Sequence, residues 1–241
     1  MPNYIELSDL EQSFRANEQT VTLFKQLNLT VYQGQSYAIT GPSGVGKSSL
    51  LMLMAGLEEG SSGSAMYVDG TQRLSIAALK PYTGFIFQQF HLLPELTALN
   101  NVALPLKLRG EKQAIEKAQH WLAKVNLSHR ADHKPAQLSG GEQQRVAIAR
   151  ALVFEPRFIF ADEPTGNLDQ ENAVEIADLL FSCCQENGAG LILVTHSDAL
   201  ANRAEHVFSL EQGKLISRKA PRISGTTESC ESDVTLREVS C

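Results

Sequence analysis

Hydrophobic residues fall along this chain in three rhythms, and each predicts a different kind of element. Early in the sequence Leu27, Leu29 and Val31 alternate with polar residues, the period of a half-buried strand. The turn 33-QGQ-35 then leads into 37-YAIT-40, a shorter run 65-AMYV-68 stops at Asp69-Gly70, and 84-GFIFQ-88 reads as a strand with little polar content. The opening third is therefore β-rich.

From about Leu96 to Phe154 the rhythm becomes helical. Ile115, Ala118, Leu122 and Val125 form one stripe of an amphipathic helix, with Glu111, Lys112, Glu116 and Lys117 outside it. The segment from Gly141 onward is apolar on most sides (Val146, Ala147, Ile148, Ala149, Ala151, Leu152), which predicts a buried helix.

Unbroken apolar runs follow at 158-FIFA-161 and 191-LILVT-195. Continuous hydrophobicity means that both faces of a strand are covered, as in a parallel sheet between layers. Between them 172-NAVEIADLLFSCC-184 supplies a crossover helix ended by Asn187-Gly188, and 207-VFSL-210 with 214-KLIS-217 form a hairpin around Gln212-Gly213. After Ser217 the pattern fades, which predicts a flexible tail over 218–241 with a short helix on 232–239.

Composition narrows the function. The 241 residues are 43% hydrophobic and 20% charged, enough for one large α/β domain with a subdomain. A formal charge of -6 and the lack of a Lys/Arg run give no electrostatic footprint for nucleic acid. The richest apolar run, 50-LLMLMAGL-57, is far shorter than the ~20 residues of a membrane span. The N-terminus shows neither a basic start nor an apolar h-region, so a cytoplasmic protein is expected, tied to any membrane through a partner. Cys183, Cys184, Cys230 and Cys241 have no metal-ligand spacing and read as thiols of a reducing compartment.

The chemistry begins at 41-GPSGVGKSS-49. Gly41, Gly46, Lys47 and Ser48 fill G-x-x-x-x-G-K-S/T between a predicted strand and an apolar helix. Backbone N–H groups of such a loop close on phosphates, the lysine reaches the β/γ oxygens and the Ser48 hydroxyl suits Mg²⁺. Asp162 follows a buried strand, where an acid is costly unless it meets a cation, and fits a Mg²⁺-holding role. Glu163 is the candidate to orient or deprotonate an attacking water. Gln88 and His196 also stand at predicted strand ends. In an open α/β sheet the ligand lies at the carboxyl ends of the strands, so Gly41, Gln88, Asp162 and His196 are expected to converge on one nucleotide. A second anion site is available at 138-LSGGEQQRVAIARAL-152, where Ser139, Gly140 and Gly141 open a helix.

Taken in order, these motifs resemble the ATP-binding subunit of ABC transporters. The matching pieces are 41-GPSGVGKSS-49 (Walker A), Gln88 (Q-loop), 138-LSGGEQQRVAIARAL-152 (signature), 158-FIFADEP-164 (Walker B), 166-GNLD-169 (D-loop) and His196 (H-loop). The resemblance implies an α/β P-loop NTPase (RecA-like) fold. Its parallel sheet core would carry an antiparallel β subdomain and a helical signature subdomain, about 89–155, within an ATPase domain spanning 1–217.

It also implies ATP and Mg²⁺ as ligands. Gly41, Pro42, Ser43, Gly44, Val45, Gly46, Lys47, Ser48 and Ser49 would cradle ATP, and Ser48, Gln88 and Asp162 would hold the metal. Glu163, His196 and Gln88 would serve catalysis. Gln89 stands beside Gln88, and either Phe14 or Tyr4 would stack on adenine.

Two copies would pair head-to-tail, so that Ser139, Gly140 and Gly141 of one clamp the ATP held by the other, with Asp169 at the seam. The two phosphate cradles of one chain would thus serve two different nucleotides. The partner would be an integral-membrane permease, with the ATPase peripheral on the cytoplasmic face. The stretches 84-GFIFQQFHLLPELTALNNVALPL-106 and 162-DEPTGNLD-169 are similar to the lipoprotein-release, macrolide-export and cell-division subgroup. In that subgroup 89–102 would receive the permease. The alternative is an ABC ATPase acting on nucleic acid or ribosomes, which would bring two cassettes, a coiled coil or zinc-binding cysteines.

Overall fold

The computed structural model of the chain describes residues 2–16 and 19–218. The tail after Arg218, including the predicted helix on 232–239 with Cys230 and Cys241, lies outside the described residues.

Strands β1 (Tyr4–Ala16), β2 (Gln19–Tyr32), β4 (Ser62–Asp69) and β5 (Gln72–Ser75) make a four-stranded antiparallel sheet in the order β2-β1-β4-β5. The pattern did not mark β1, and its own irregularity explains why. Ile5 and Leu7 keep period two, but the register against β2 then shifts and Asp9 takes φ 48, so Leu10 resumes out of step.

Strands β3 (Ser36–Thr40), β6 (Thr83–Ile86), β7 (Phe158–Asp162), β8 (Gly190–Val194), β9 (His206–Glu211) and β10 (Lys214–Arg218) form the second sheet, ordered β10-β9-β3-β8-β7-β6. Its strands pair in parallel except β10, which returns antiparallel through the turn at Gln212 (φ 48) and Gly213 (φ 77).

The central sheet divides two cores, and the unbroken apolar runs are explained by that division. Phe158 and Phe160 of β7, with Ile192 and Val194 of β8, join a core shared with β1, β2 and α1 (Lys47–Met54). Ile159, Ala161, Leu191 and Leu193 point the other way. There they meet α2 (Ala98–Leu108), α3 (Ala114–Lys124), α4 (Gly140–Leu152) and α5 (Gln170–Glu186). Each of the Phe, Ile, Leu and Val side chains among them, fully buried, contributes about 1.5–3 kcal/mol.

Three expectations need correcting. The buried stripe of α3 is Ala114, Ala118, Trp121 and Leu122, while Ile115 is 38% exposed, because the helix starts at Ala114 and turns its neighbour outward. Strand β6 stops at Ile86, so Gln88 lies past the strand end rather than on it. Asp162 is the last residue of β7, paired with Val194, rather than the first residue after it. The segment 72–82, to which the apolar pattern assigned no element, folds as β5 and a 3₁₀ turn over Ile76–Tyr82. A short α6 (Asp198–Ala201) follows β8.

Among the described residues no helix is long and apolar enough to cross a membrane. Cys183 and Cys184 are buried free thiols, and burial pushes both above the usual thiol range.

Candidate active site

Strand β3 delivers the chain into a loop whose glycines Gly41, Gly44 and Gly46 take φ 147, 77 and 103. Those values let successive N–H groups turn inward. Gly41 is also fixed by crowding, since a Cβ there would sit 2.5 Å from the Leu210 carbonyl oxygen. Gly46 caps α1 with no side-chain hydrogen bond, so the first N–H groups of α1 are left for a ligand.

Lys47 opens α1 and is only 6% exposed. Its Nζ donates to the carbonyls of Gly41 at 2.9 Å and Pro42 at 3.0 Å, and lies 3.3 Å from His196 Nε2. Burial lowers the lysine below its usual range, and the nearby charges of Glu163 and Asp162 act in the opposite direction.

A cavity of about 360 Å³ opens over this loop. The loop supplies Ser43, Gly44, Gly46, Lys47, Ser48 and Ser49, and the strand ends supply Gln88, Asp162, Glu163 and His196. Pro42 and Gly41 hold the lysine from behind, and Val45 packs into the core. Gln89 is not among the lining residues. Leu23 is, and the sequence pattern gave no sign of it. It reaches the cavity from β2 and lies where a Cβ on Gly46 would meet it at 3.0 Å.

Glu163 takes φ 46, a left-handed conformation rare outside glycine, and stands before Pro164, which restricts it further. The strained turn is held from both sides. The Glu163 N–H donates to the Val194 carbonyl at 3.0 Å, and its own carbonyl accepts from the Gly166 N–H at 3.0 Å. Carboxylate Oε2 accepts from the His196 main-chain N–H at 3.2 Å. The other oxygen, Oε1, is buried without a hydrogen bond, although His196 Nε2 is 3.3 Å away. A buried acceptor without a partner suits a water or ligand proton delivered from the cavity.

The donor set also suits a hard cation. The Ser48 hydroxyl, the Asp162 carboxylate and the Gln88 amide are all oxygen ligands of the type Mg²⁺ takes. Two carboxylates and one lysine leave room for that charge.

The remaining predicted residues gather elsewhere. Ser139 caps α4 in a reciprocal box, its Oγ accepting from the Glu142 N–H at 3.2 Å while Glu142 Oε2 accepts from the Ser139 N–H at 2.8 Å. A Cβ on Gly141 would fall 2.9 Å from Asn172 Oδ1. Asn172 in turn donates through its main-chain N–H and Nδ2 to the carboxylate of Asp169, the cap of α5, at 3.0 and 2.6 Å. Ser139, Gly140 and Asp169 thus lie on a second surface with Gly141 buried beneath it against Asn172, and none of the four lines the cavity. Phe14 is exposed and pairs with Val21, near Leu23 on β2, whereas Tyr4 packs against Tyr32 at the far end of β1.

A glycine-rich loop between β3 and α1, with an acid ending a parallel strand that lies across β8 in the same sheet, defines a P-loop nucleoside triphosphatase. Comparison with known proteins refines the class. The family model described as "ABC transporter" matches residues 24–166. The lipoprotein-releasing system ATP-binding protein LolD of Geobacter metallireducens is 43% identical over 223 residues, covering 90% of this chain and 99% of the relative. The uncharacterized ABC transporter ATP-binding protein YbbA of Escherichia coli is 45% identical over 222 residues, covering 88% and 96%. Among solved structures, the dimeric post-hydrolysis state of the ATP-binding cassette MJ0796 bound to ADP and Pi aligns with TM-score 0.78 and 33% identity, over 90% of this chain and 99% of that one. The chain belongs to the ABC transporter ATP-binding family, and it is an ATP-binding, ATP-hydrolysing subunit.

Proposed function

We propose that two copies of this chain close head-to-tail around two ATP molecules and drive a separate membrane permease of the lipoprotein-release or macrolide-export type. One observation carries the reading: the start of α1 and the start of α4, the two helix starts that the sequence marks as anion sites, do not meet within one chain. Lys47 and the strand ends line one cavity, while Ser139, Gly140, Gly141 and Asp169 stand outside it. A second copy brings its own signature surface to the first copy's cavity, and the γ-phosphate held by both sides joins them. Cleaving that phosphate removes the shared ligand, so hydrolysis shifts the pair toward the open state.

Within one site the residues divide the work. The loop 41–49 binds the phosphates, Lys47 adds positive charge at the β/γ oxygens, and Phe14 stacks on adenine. Ser48, Asp162 and Gln88 hold Mg²⁺, which when bound neutralises charge on the phosphate oxygens. Glu163 accepts the proton of the attacking water through Oε1, and His196 fixes that carboxylate through its main-chain N–H.

The permease would dock on 89–102, within the helical subdomain of about 89–155 in an ATPase domain of 1–217, from the cytoplasmic face. That stretch is held rigidly. Buried Asn101 bonds the carbonyls of Leu93, Leu96 and Thr97 and accepts from the Leu93 N–H, and Arg150 bonds those of Phe90 and His91. Leu93 stays exposed there. The named work of the LolD relatives suggests lipoprotein release as the permease's task.

The test is a pull-down of tagged Glu163→Gln chain from detergent-solubilised host membranes with Mg²⁺ and ATP. Co-purification of a multi-span protein with a large extracytoplasmic domain supports the reading. Recovery of the ATPase dimer alone, from the soluble fraction, counts against it.

A further inference from the structure

Gln88 stands beyond β6 at the cavity wall, and a second segment of the same chain holds it there. Asn167, in the turn between β7 and α5, bonds Gln88 at two points. Its Nδ2 donates to the Gln88 main-chain carbonyl at 2.8 Å, and its Oδ1 accepts from Gln88 Nε2 at 3.1 Å. The preceding residue, Gly166, has no left-handed φ to justify a glycine. A Cβ there, however, would lie 3.0 Å from Gln88 Nε2 and 3.4 Å from its Cδ. Gly166 supplies space for the Gln88 amide, and Asn167 supplies its partners.

Hydrogen-bond chemistry then decides which way the Gln88 amide faces. A main-chain carbonyl only accepts, so Asn167 must turn its NH₂ toward it. Asn167 Oδ1 is thereby the end that meets Gln88, and an oxygen accepts only from the NH₂ of that side chain. Gln88 Oε1 is left as the uncommitted end of an amide that lines the cavity. The orientation matters because a divalent cation and a water O–H both need an acceptor oxygen there, and an NH₂ serves neither.

We propose that Asn167 is a positioning residue for ATP hydrolysis: it pins the Gln88 amide so that Oε1, not Nε2, is presented to the metal–nucleotide complex. This rests on the reading that Gln88 serves that complex. The assignment ties the segment after β7 to the segment after β6 within one chain, so a movement of either re-aims the oxygen.

The test has two arms. In nucleotide-free protein, ¹H–¹⁵N NMR should show one Gln88 side-chain amide proton exchanging slowly, and Asn167→Ala or Asn167→Leu, neither of which offers an acceptor, should return it to solvent-like exchange. An unchanged Gln88 signal in both variants overturns the proposal whether or not the protein hydrolyses ATP. In the second arm, Asn167→Ala should raise the Mg²⁺ concentration for half-maximal ATPase rate by about 3- to 10-fold, the size of a lost net hydrogen bond. Gly166→Ala, which crowds Gln88 while keeping Asn167, should shift it in the same direction. In a Gln88→Ala background the Asn167→Ala effect should vanish, because Asn167 acts only through Gln88. An undiminished effect in that background overturns the proposal.

Discussion

Glu163 receives the His196 main-chain N–H on one carboxylate oxygen at 3.2 Å and keeps the other buried and unbonded. The first contact fixes the side chain and the second oxygen is the reactive end. Replacing Glu163 with Gln keeps the shape and the acceptor for His196 but removes the proton acceptor. Glu163→Gln should therefore bind ATP, accumulate as a dimer with it and hydrolyse at least ~10²-fold more slowly, the usual size of a lost acid–base contribution. Phosphate release together with size-exclusion in ATP measures this, and a wild-type rate would remove Glu163 from its role.

Lys47 is mostly covered and holds two carbonyls of its own loop, so it is preorganised rather than mobile. Charge-assisted hydrogen bonds of this kind are worth about 1.5–3 kcal/mol. Lys47→Ala should weaken ATP binding by about 10- to 100-fold or more in an equilibrium titration.

The two-surface arrangement predicts complementation. Lys47→Ala spoils the cavity of its own chain, and Ser139→Arg spoils the signature surface it lends to a partner. Mixed, the two inactive variants should form heterodimers with one intact composite site, and part of the ATPase activity should return. If no activity returns, either the trans clamp or the independence of the two sites fails.

The sequence disclosed the cavity better than the scaffold behind it. Lys47 was legible through its glycine-loop spacing, and Asp162, Glu163 and His196 because each sits where an apolar strand runs out, since strand ends in a parallel sheet face one crevice. Strand β1 was not legible, because its bulge at Asp9 breaks the alternation that would reveal it. Leu23 and Asn167 escaped for a different reason. Their roles depend on which segment lies across from them, Gly46 for one and Gln88 for the other, and no local pattern encodes that. Gln144 escaped as well, because it stands among Glu142, Gln143 and Arg145 on α4 and nothing local marks it as the buried one.

Gln144 is fully buried on α4, its Nε2 donating to the Pro164 carbonyl at 2.6 Å while its Oε1 has no partner. It anchors the residue that follows the strained Glu163. Gln144→Ala leaves the Pro164 carbonyl unpaired and opens a cavity, and should destabilise the chain by about 2–4 kcal/mol. Gln144→Met fills the volume and removes the orphaned oxygen along with the bond, so it should cost about half as much in urea unfolding. Equal losses would mean that volume does not set the penalty.

Glu142 provides a pH test of the signature helix. The Ser139 N–H first, and Arg130 with Nε at 2.9 Å from Oε1, hold its carboxyl below the ordinary glutamate range. A depressed folded-state pKa adds stability above the unfolded value of about 4.3, and that stability is lost as pH falls through the lower folded value. Glu142→Gln retains an acceptor oxygen but cannot ionise. Nucleotide-free wild type should therefore be more stable than Glu142→Gln at pH 7 by about 0.5–1 kcal/mol, the size of a partly exposed ionic cap. The difference should shrink as pH drops below 4.3 and disappear under the folded pKa. Thermal melts of both proteins across that range measure it, and a gap independent of pH would show that the ionised carboxylate does not hold Ser139 in place.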